Sequence, residues 1–153
     1  MIVKTIVWPD ENATQAFAKT LAAQPALVNA FIELRGDLGA GKTTFVRHLL
    51  AALGVEGRIK SPTYAVVESY ALDAPALNIW HFDFYRFNDP DEWEEAGFRE
   101  LFASPGLKLA EWAGHAGHHL PQPDLVIAID ALDSDARSVT LTALTDAGAR
   151  LLP

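Results

Sequence analysis

Apolar positions along the chain follow two periods. Residues 1–7 are apolar and β-branched and predict a strand. Pro9-Asp10-Glu11-Asn12 breaks it and offers capping side chains to a helix over 13–23, whose inner face carries Phe17, Leu21 and several alanines. Gln24-Pro25 ends that helix. Phe31-Ile32-Glu33-Leu34-Arg35 predicts a second strand. Phe45, Val46, Leu49, Leu50 and Leu53 then recur at helical spacing and form one apolar face. Residues 64–72 and 77–85 read as strands around Asp73-Ala74-Pro75, a connection short enough for an antiparallel hairpin. Asp89-Pro90-Asp91-Glu92 opens a further helix, with acids at its positive end. Residues 107–112 and 125–130 are short apolar strands. Residues 138–144 alternate, which predicts an edge strand.

Strands with intervening helices predict a three-layer α/β fold, its sheet mixed because of the hairpin. No repeat, linker or low-complexity tract divides residues 1–153, so one domain is expected. With no cysteine, disulfides, thiolate metal sites and cysteine nucleophiles are excluded. No apolar run approaches the roughly 20 residues of a membrane span, and no secretory signal stands at the N-terminus. These observations predict a cytoplasmic protein. The net charge of −8 argues against unaided binding to nucleic acid, which usually takes a basic surface.

Between the second strand and the Phe45 helix lies Gly36-Asp37-Leu38-Gly39-Ala40-Gly41-Lys42-Thr43-Thr44. It matches G-x-x-x-x-G-K-[ST], the phosphate-binding loop. Gly36 lets the chain turn at the strand end. Gly39 and Gly41 clear side chains so that backbone N–H groups can converge on phosphate oxygens. Lys42 suits the β/γ oxygens, and the Thr43 hydroxyl suits Mg²⁺, a cation that prefers oxygen ligands. The helix that follows aims its positive N-terminus at the same anion. Strand, loop and helix in this order predict a P-loop NTPase fold with a mainly parallel sheet.

Such a loop needs a carboxylate at the end of a neighbouring strand. Asp83, Glu111 and Asp130 each end an apolar strand. Hydrophobicity alone favours Asp130, but spacing does not decide among the three. His115, His118 and His119 lack a carboxylate or cysteine to complete a metal set, and Gly114, Gly117 and Pro121 place them in a loop. His81, within an apolar strand, reads as a core histidine. Taken locally, Thr14 reads as a cap or surface residue and Ser61-Pro62-Thr63 as a strand-entry turn.

The phosphate loop, Ser61-Pro62-Thr63, His81-Phe82-Asp83-Phe84-Tyr85-Arg86 and Glu111-Trp112, in this order and spacing, resemble the TsaE family. The likeness runs from Thr14 to the strand around Asp130. TsaE is the bacterial ATPase of tRNA threonylcarbamoyladenosine biosynthesis. The resemblance implies that the chain acts with TsaB and TsaD, which modify the adenosine beside the anticodon of tRNAs reading codons that start with A. It would bind and hydrolyse ATP in contact with that pair and reset the complex between cycles. It would touch tRNA only through that complex. Carried over by position, Gly39, Ala40, Gly41, Lys42, Thr43 and Thr44 would hold the phosphates, with Thr43 on Mg²⁺. Glu111 would be a metal-side acid, Asp83 would complete the metal or water shell, and Thr63 would be a switch hydroxyl. Thr14 would lie near the nucleotide and Trp112 beside the site, while Asp130 becomes structural. Two departures stand out: Ala113-Gly114 where the family often has proline, and Trp93 where an aliphatic residue is commoner.

Other functions fit the sequence less well. A small-molecule kinase usually brings several arginines to a lid, and Arg86, Arg99, Arg137 and Arg150 are scattered along the chain. A GTPase would carry an Asn-Lys-x-Asp guanine reader, which is missing. A nucleotide-dependent binding module without turnover is the alternative from a different class.

Overall fold

The computed structural model describes residues 1–57, 59, 66–86 and 97–153, with the side chains of His118 and His119 left out. Ser61-Pro62-Thr63, the Asp89–Glu92 helix start and Trp93 lie outside the described residues.

One sheet of seven strands organises the described residues, in the order β1-β7-β6-β2-β5-β4-β3. The strands are β1 Ile2–Trp8, β2 Phe31–Arg35, β3 Val67–Asp73, β4 Ala76–Asp83, β5 Leu107–Glu111, β6 Leu125–Ala131 and β7 Arg137–Ala143. Pairings β6–β2, β2–β5 and β5–β4 are parallel. Pairings β1–β7, β7–β6 and β3–β4 are antiparallel. Only β7 and β3 therefore run against the rest, and the sheet is mainly parallel, with the expected hairpin at one edge.

The parity of side chains along the central strands sorts the core into two layers. Ile32 and Leu34 of β2, and Leu107 and Leu109 of β5, belong to the larger cluster with α2 (Lys42–Leu53). Phe31 of β2 and Ala110 of β5 face the opposite side, with Phe82, Phe84 and Phe98. Strands buried on both faces read as continuous apolar runs, which is why β2 and β6 stand out in the sequence. α2 buries Phe45, Val46, Leu49 and Leu50 completely. Beside it α1 (Glu11–Ala22) buries Phe17, Ala18 and Leu21; the Asp10 carboxylate caps it by accepting the Ala13 N–H at 3.0 Å. Trp8, Phe17 and Phe45 join β1, α1 and α2 with ring centroids 5.4–6.0 Å apart. Truncating Phe45 to alanine in such a setting costs about 3–5 kcal/mol. The second layer is a short helix, Phe98–Ala103, and the turns of Ala113–His119.

The alternating segment near the C-terminus is not an edge strand. β7 sits between β1 and β6, and β1 forms the edge. The alternation arises because Val139, Leu141 and Ala143 are buried while Ser138, Thr140 and Thr142 are only half-buried. β1 leaves Ile2, Val3 and Val7 exposed. Among the described residues no helix is long and apolar enough to cross a membrane.

Candidate functional site

β2 ends at Arg35, and Gly36 turns the chain with φ +150°. A Cβ there would meet the Ile129 carbonyl oxygen at 2.6 Å, so only glycine fits between β2 and β6. The Ala40 N–H donates to the Asp37 carbonyl at 3.0 Å and closes the loop. Gly41, at φ +113°, leads into α2 with no side-chain cap, so the first N–H groups of the helix remain for a ligand.

Lys42 is 5% exposed. Its ammonium donates to the Gly36 carbonyl and lies over the Trp112 indole, 4.1 Å from the ring centroid. Burial holds its pKa below the usual lysine range, and Glu111, Asp83 and Asp37 pull it back up. Trp112 adopts φ +57°, uncommon for a bulky residue, and its ring also packs on Tyr85 and His115.

Strand order decides which acids meet Thr43. β5 and β6 flank β2 on opposite sides. Glu111 closes β5, and Asp83 lies opposite it in register on β4. The Thr43 hydroxyl donates to Glu111 Oε1 at 3.3 Å. Glu111 Oε2 accepts from His81 Nε2 at 2.6 Å. Glu111 and His81 are both buried. Asp83 Oδ1 accepts the Tyr85 N–H at 2.9 Å. Burial raises the Asp83 pKa above the ordinary carboxylate value; the Tyr85 hydrogen bond opposes this, and the Glu111 charge adds to it. Two carboxylates and a hydroxyl form an all-oxygen donor set that fits Mg²⁺ with its waters and substrate phosphates. Among the described residues no group of three or more His, Asp or Glu gathers to hold a metal by protein alone.

A groove of about 330 Å³ collects most of the residues singled out from sequence: Gly39, Gly41, Lys42, Thr43, Thr44, Asp83 and Glu111, together with Trp112. A hollow of about 280 Å³ adjoins it through Gly41 and Thr44 and is lined by Ala40 and Thr14. Thr14 is buried against the loop region and is not a surface cap. Asp130 lines a third cavity, of about 430 Å³, with Glu33, Arg35 and His115. Lys42 and Trp112 border both that cavity and the groove. His115 Nδ1 donates to the backbone carbonyls of Phe84 and Tyr85, at 3.0 and 2.9 Å.

Two arginines that look scattered in sequence, Arg86 and Arg137, line the groove. Arg137 also borders the Thr14 hollow, and its Nε donates to the Ala40 carbonyl at 2.8 Å. It opens β7, far along the chain from the loop, and no local pattern marks it. His81 is the core histidine that the sequence predicts, completely buried; what local sequence does not show is its partner, Glu111 on the neighbouring strand. An acid ending that neighbouring strand was the available signal.

The chain matches a family model described as threonylcarbamoyl adenosine biosynthesis protein TsaE over residues 8–139. It is 38% identical to the tRNA threonylcarbamoyladenosine biosynthesis protein TsaE of Haemophilus influenzae, over 94% of this chain and 92% of that protein. It is also 38% identical to the protein of the same description from Bacillus subtilis, over 93% of this chain and 88% of the relative. Among solved structures it resembles the crystal structure of YdiB from Bacillus subtilis, with a TM-score of 0.74 and 32% identity, covering 99% of this chain and 93% of that one.

Proposed function

Because this chain belongs to the TsaE family of tRNA threonylcarbamoyladenosine biosynthesis proteins, we propose that it is the ATP-binding and ATP-hydrolysing subunit of that modification. In this reading it works in the cytoplasm, against TsaB and TsaD, and resets their complex between cycles. The observation that carries the proposal is the contact of the Thr43 hydroxyl with Glu111 at 3.3 Å, beside the phosphate loop and one strand from Asp83.

Each residue then has a part. The backbone from Gly39 to Thr44 takes the phosphates, and Lys42 pairs with the β/γ oxygens. Thr14 borders the nucleotide from α1. Thr43, Glu111 and Asp83 would hold Mg²⁺, whose charge offsets that of the phosphates. Asp83 also orients the attacking water; a carboxyl raised above its ordinary range is a better proton acceptor than a free one. Thr63 supplies the switch hydroxyl. Arg137 braces the loop through Ala40 and reaches the groove.

Turnover by the chain alone is slow in this proposal. Phosphoryl transfer depends on positioned charge, and a group supplied by a partner can add about 10³–10⁵ in rate. The test is ADP release from MgATP by the chain alone and with TsaB and TsaD. Slow release that the pair accelerates is expected. Fast hydrolysis by the isolated chain, unchanged by the pair, overturns the coupling. Binding without hydrolysis under both conditions would make the protein a nucleotide-dependent binding module.

A further inference from the structure

His81 is completely buried in the sheet. It shares a face with Glu111. The register pairs His81 with Leu109 of β5, so Glu111 lies two residues further along the same strand and on the same side. That side packs against α2, which brings Thr43. Glu111 is 2% exposed, and each of its oxygens has a different partner. Oε2 accepts a hydrogen bond from His81 Nε2 at 2.6 Å, and Oε1 accepts one from the Thr43 hydroxyl at 3.3 Å.

The proton position follows from the partners. A carboxylate only accepts, so Nε2 carries the hydrogen. Nδ1 is buried and has no hydrogen-bond partner among the described residues. A lone pair left there costs less than a buried N–H with no acceptor. The hydrogen on Nε2 therefore ties Glu111 Oε2 to the sheet and leaves Oε1 toward the groove.

We propose that His81 is a positioning residue that fixes Glu111 so that a single oxygen, Oε1, faces Thr43 and the divalent cation. A Glu111 free to rotate could offer both oxygens. Mg²⁺ demands near-octahedral geometry and keeps several waters, so one oriented oxygen suits it better than a chelating pair. Hydrogen bonds from the surroundings that orient a ligating side chain typically contribute 10–100-fold to metal affinity. This inference rests on the metal-side reading of Glu111 above.

The experiment is Mn²⁺ binding by the full chain in the presence of ADP, with free Mn²⁺ counted by electron paramagnetic resonance. His81→Phe keeps the ring and loses the donor. His81→Gln keeps an N–H near the Nε2 position. Thermal melting checks that each variant is folded, and if His81→Phe is not, His81→Asn, too short to reach Glu111, replaces it. We expect His81→Phe to weaken Mn²⁺ by about 10–100-fold and His81→Gln to restore most of the loss. In a Glu111→Ala background His81→Phe should add nothing. A folded His81→Phe with unchanged Mn²⁺ affinity overturns the proposal, as does an equal loss with Glu111 already removed. If Glu111→Ala leaves Mn²⁺ binding intact, the metal-side reading itself fails and takes this inference with it.

Discussion

The Lys42 ammonium lies over the Trp112 indole, 4.1 Å from the ring centroid, while donating to the Gly36 carbonyl. A buried cation is thus held by a ring face and a carbonyl, with no close ion pair among the described residues. Lys42→Ala should leave the fold intact, because the cation's burial already opposes its charge. The loss falls on phosphate binding. Removing one preorganised electrostatic contact of this kind typically costs about 10²–10³ in rate. MgATP binding by calorimetry, beside a thermal melt, checks both halves. A variant that still supports tRNA modification would remove the loop from the mechanism.

Glu111 and Asp130 separate two readings of the metal side. Glu111 touches Thr43, whereas Asp130, on β6 at the other side of β2, is exposed and lines a different cavity. Glu111→Ala should therefore raise the Mg²⁺ concentration needed for half-maximal ATP hydrolysis far more than Asp130→Ala does. It should also destabilise the fold by about 1–3 kcal/mol, because it leaves the His81 N–H buried without an acceptor. Asp130→Ala should fall within about 0.5 kcal/mol of the parent, as surface changes do. The opposite order in Mg²⁺ dependence would restore Asp130, the acid that hydrophobicity favours.

How far the sequence reaches is visible in these two acids. Gly36 to Thr44 is legible because its glycines and the α2 face are local. The β3–β4 hairpin is legible for the same reason, since Ala74-Pro75 leaves no other connection. Asp83, Glu111 and Asp130 look equivalent because each ends an apolar strand. What separates them is the order β6-β2-β5-β4, a long-range fact that no local spacing encodes. The same holds for β7, whose alternation imitates an edge while β1 covers it. Arg137 and His81 are the extreme cases: each is defined by a partner on another element, Ala40 or Glu111. Only the likeness to a family, which carries three-dimensional information, placed Glu111 ahead of Asp130 from sequence.

Asp83 makes stability depend on pH in a definite direction. Burial raises its folded pKa above the unfolded value, so the folded state binds the proton more tightly. Its ionisation therefore opposes folding. The cost is absent below the unfolded pKa and grows as pH rises through the folded pKa. Asp83→Asn should raise the melting temperature of the metal-free protein at pH 7, and the gain should vanish near pH 3. Hydrolysis should fall in the same variant, since an amide cannot take the proton from water. An equal effect on melting at both pH values would mean that the carboxyl charge is not the cause.

Arg137 touches the loop and both hollows around it, so its removal should act on nucleotide affinity before it acts on the chemistry. Its Nε holds the Ala40 carbonyl at 2.8 Å, and its Nη1 donates to the Ala136 carbonyl at 2.9 Å. The planar fork is thereby fixed against the groove rather than swung into solvent. Arg137→Lys keeps the charge but cannot reproduce the two bonds from one rigid plane. Both Arg137→Ala and Arg137→Lys should weaken ADP and ATP binding, by about 10- to 100-fold for the loss of one charge-assisted hydrogen bond of about 1.5–3 kcal/mol. The fall in kcat should be smaller than the rise in KM, because uniform binding of ground and transition states is what is lost. A lysine variant with full affinity would show that charge alone suffices; a large fall in kcat with KM unchanged would place Arg137 on the transferring phosphoryl group instead.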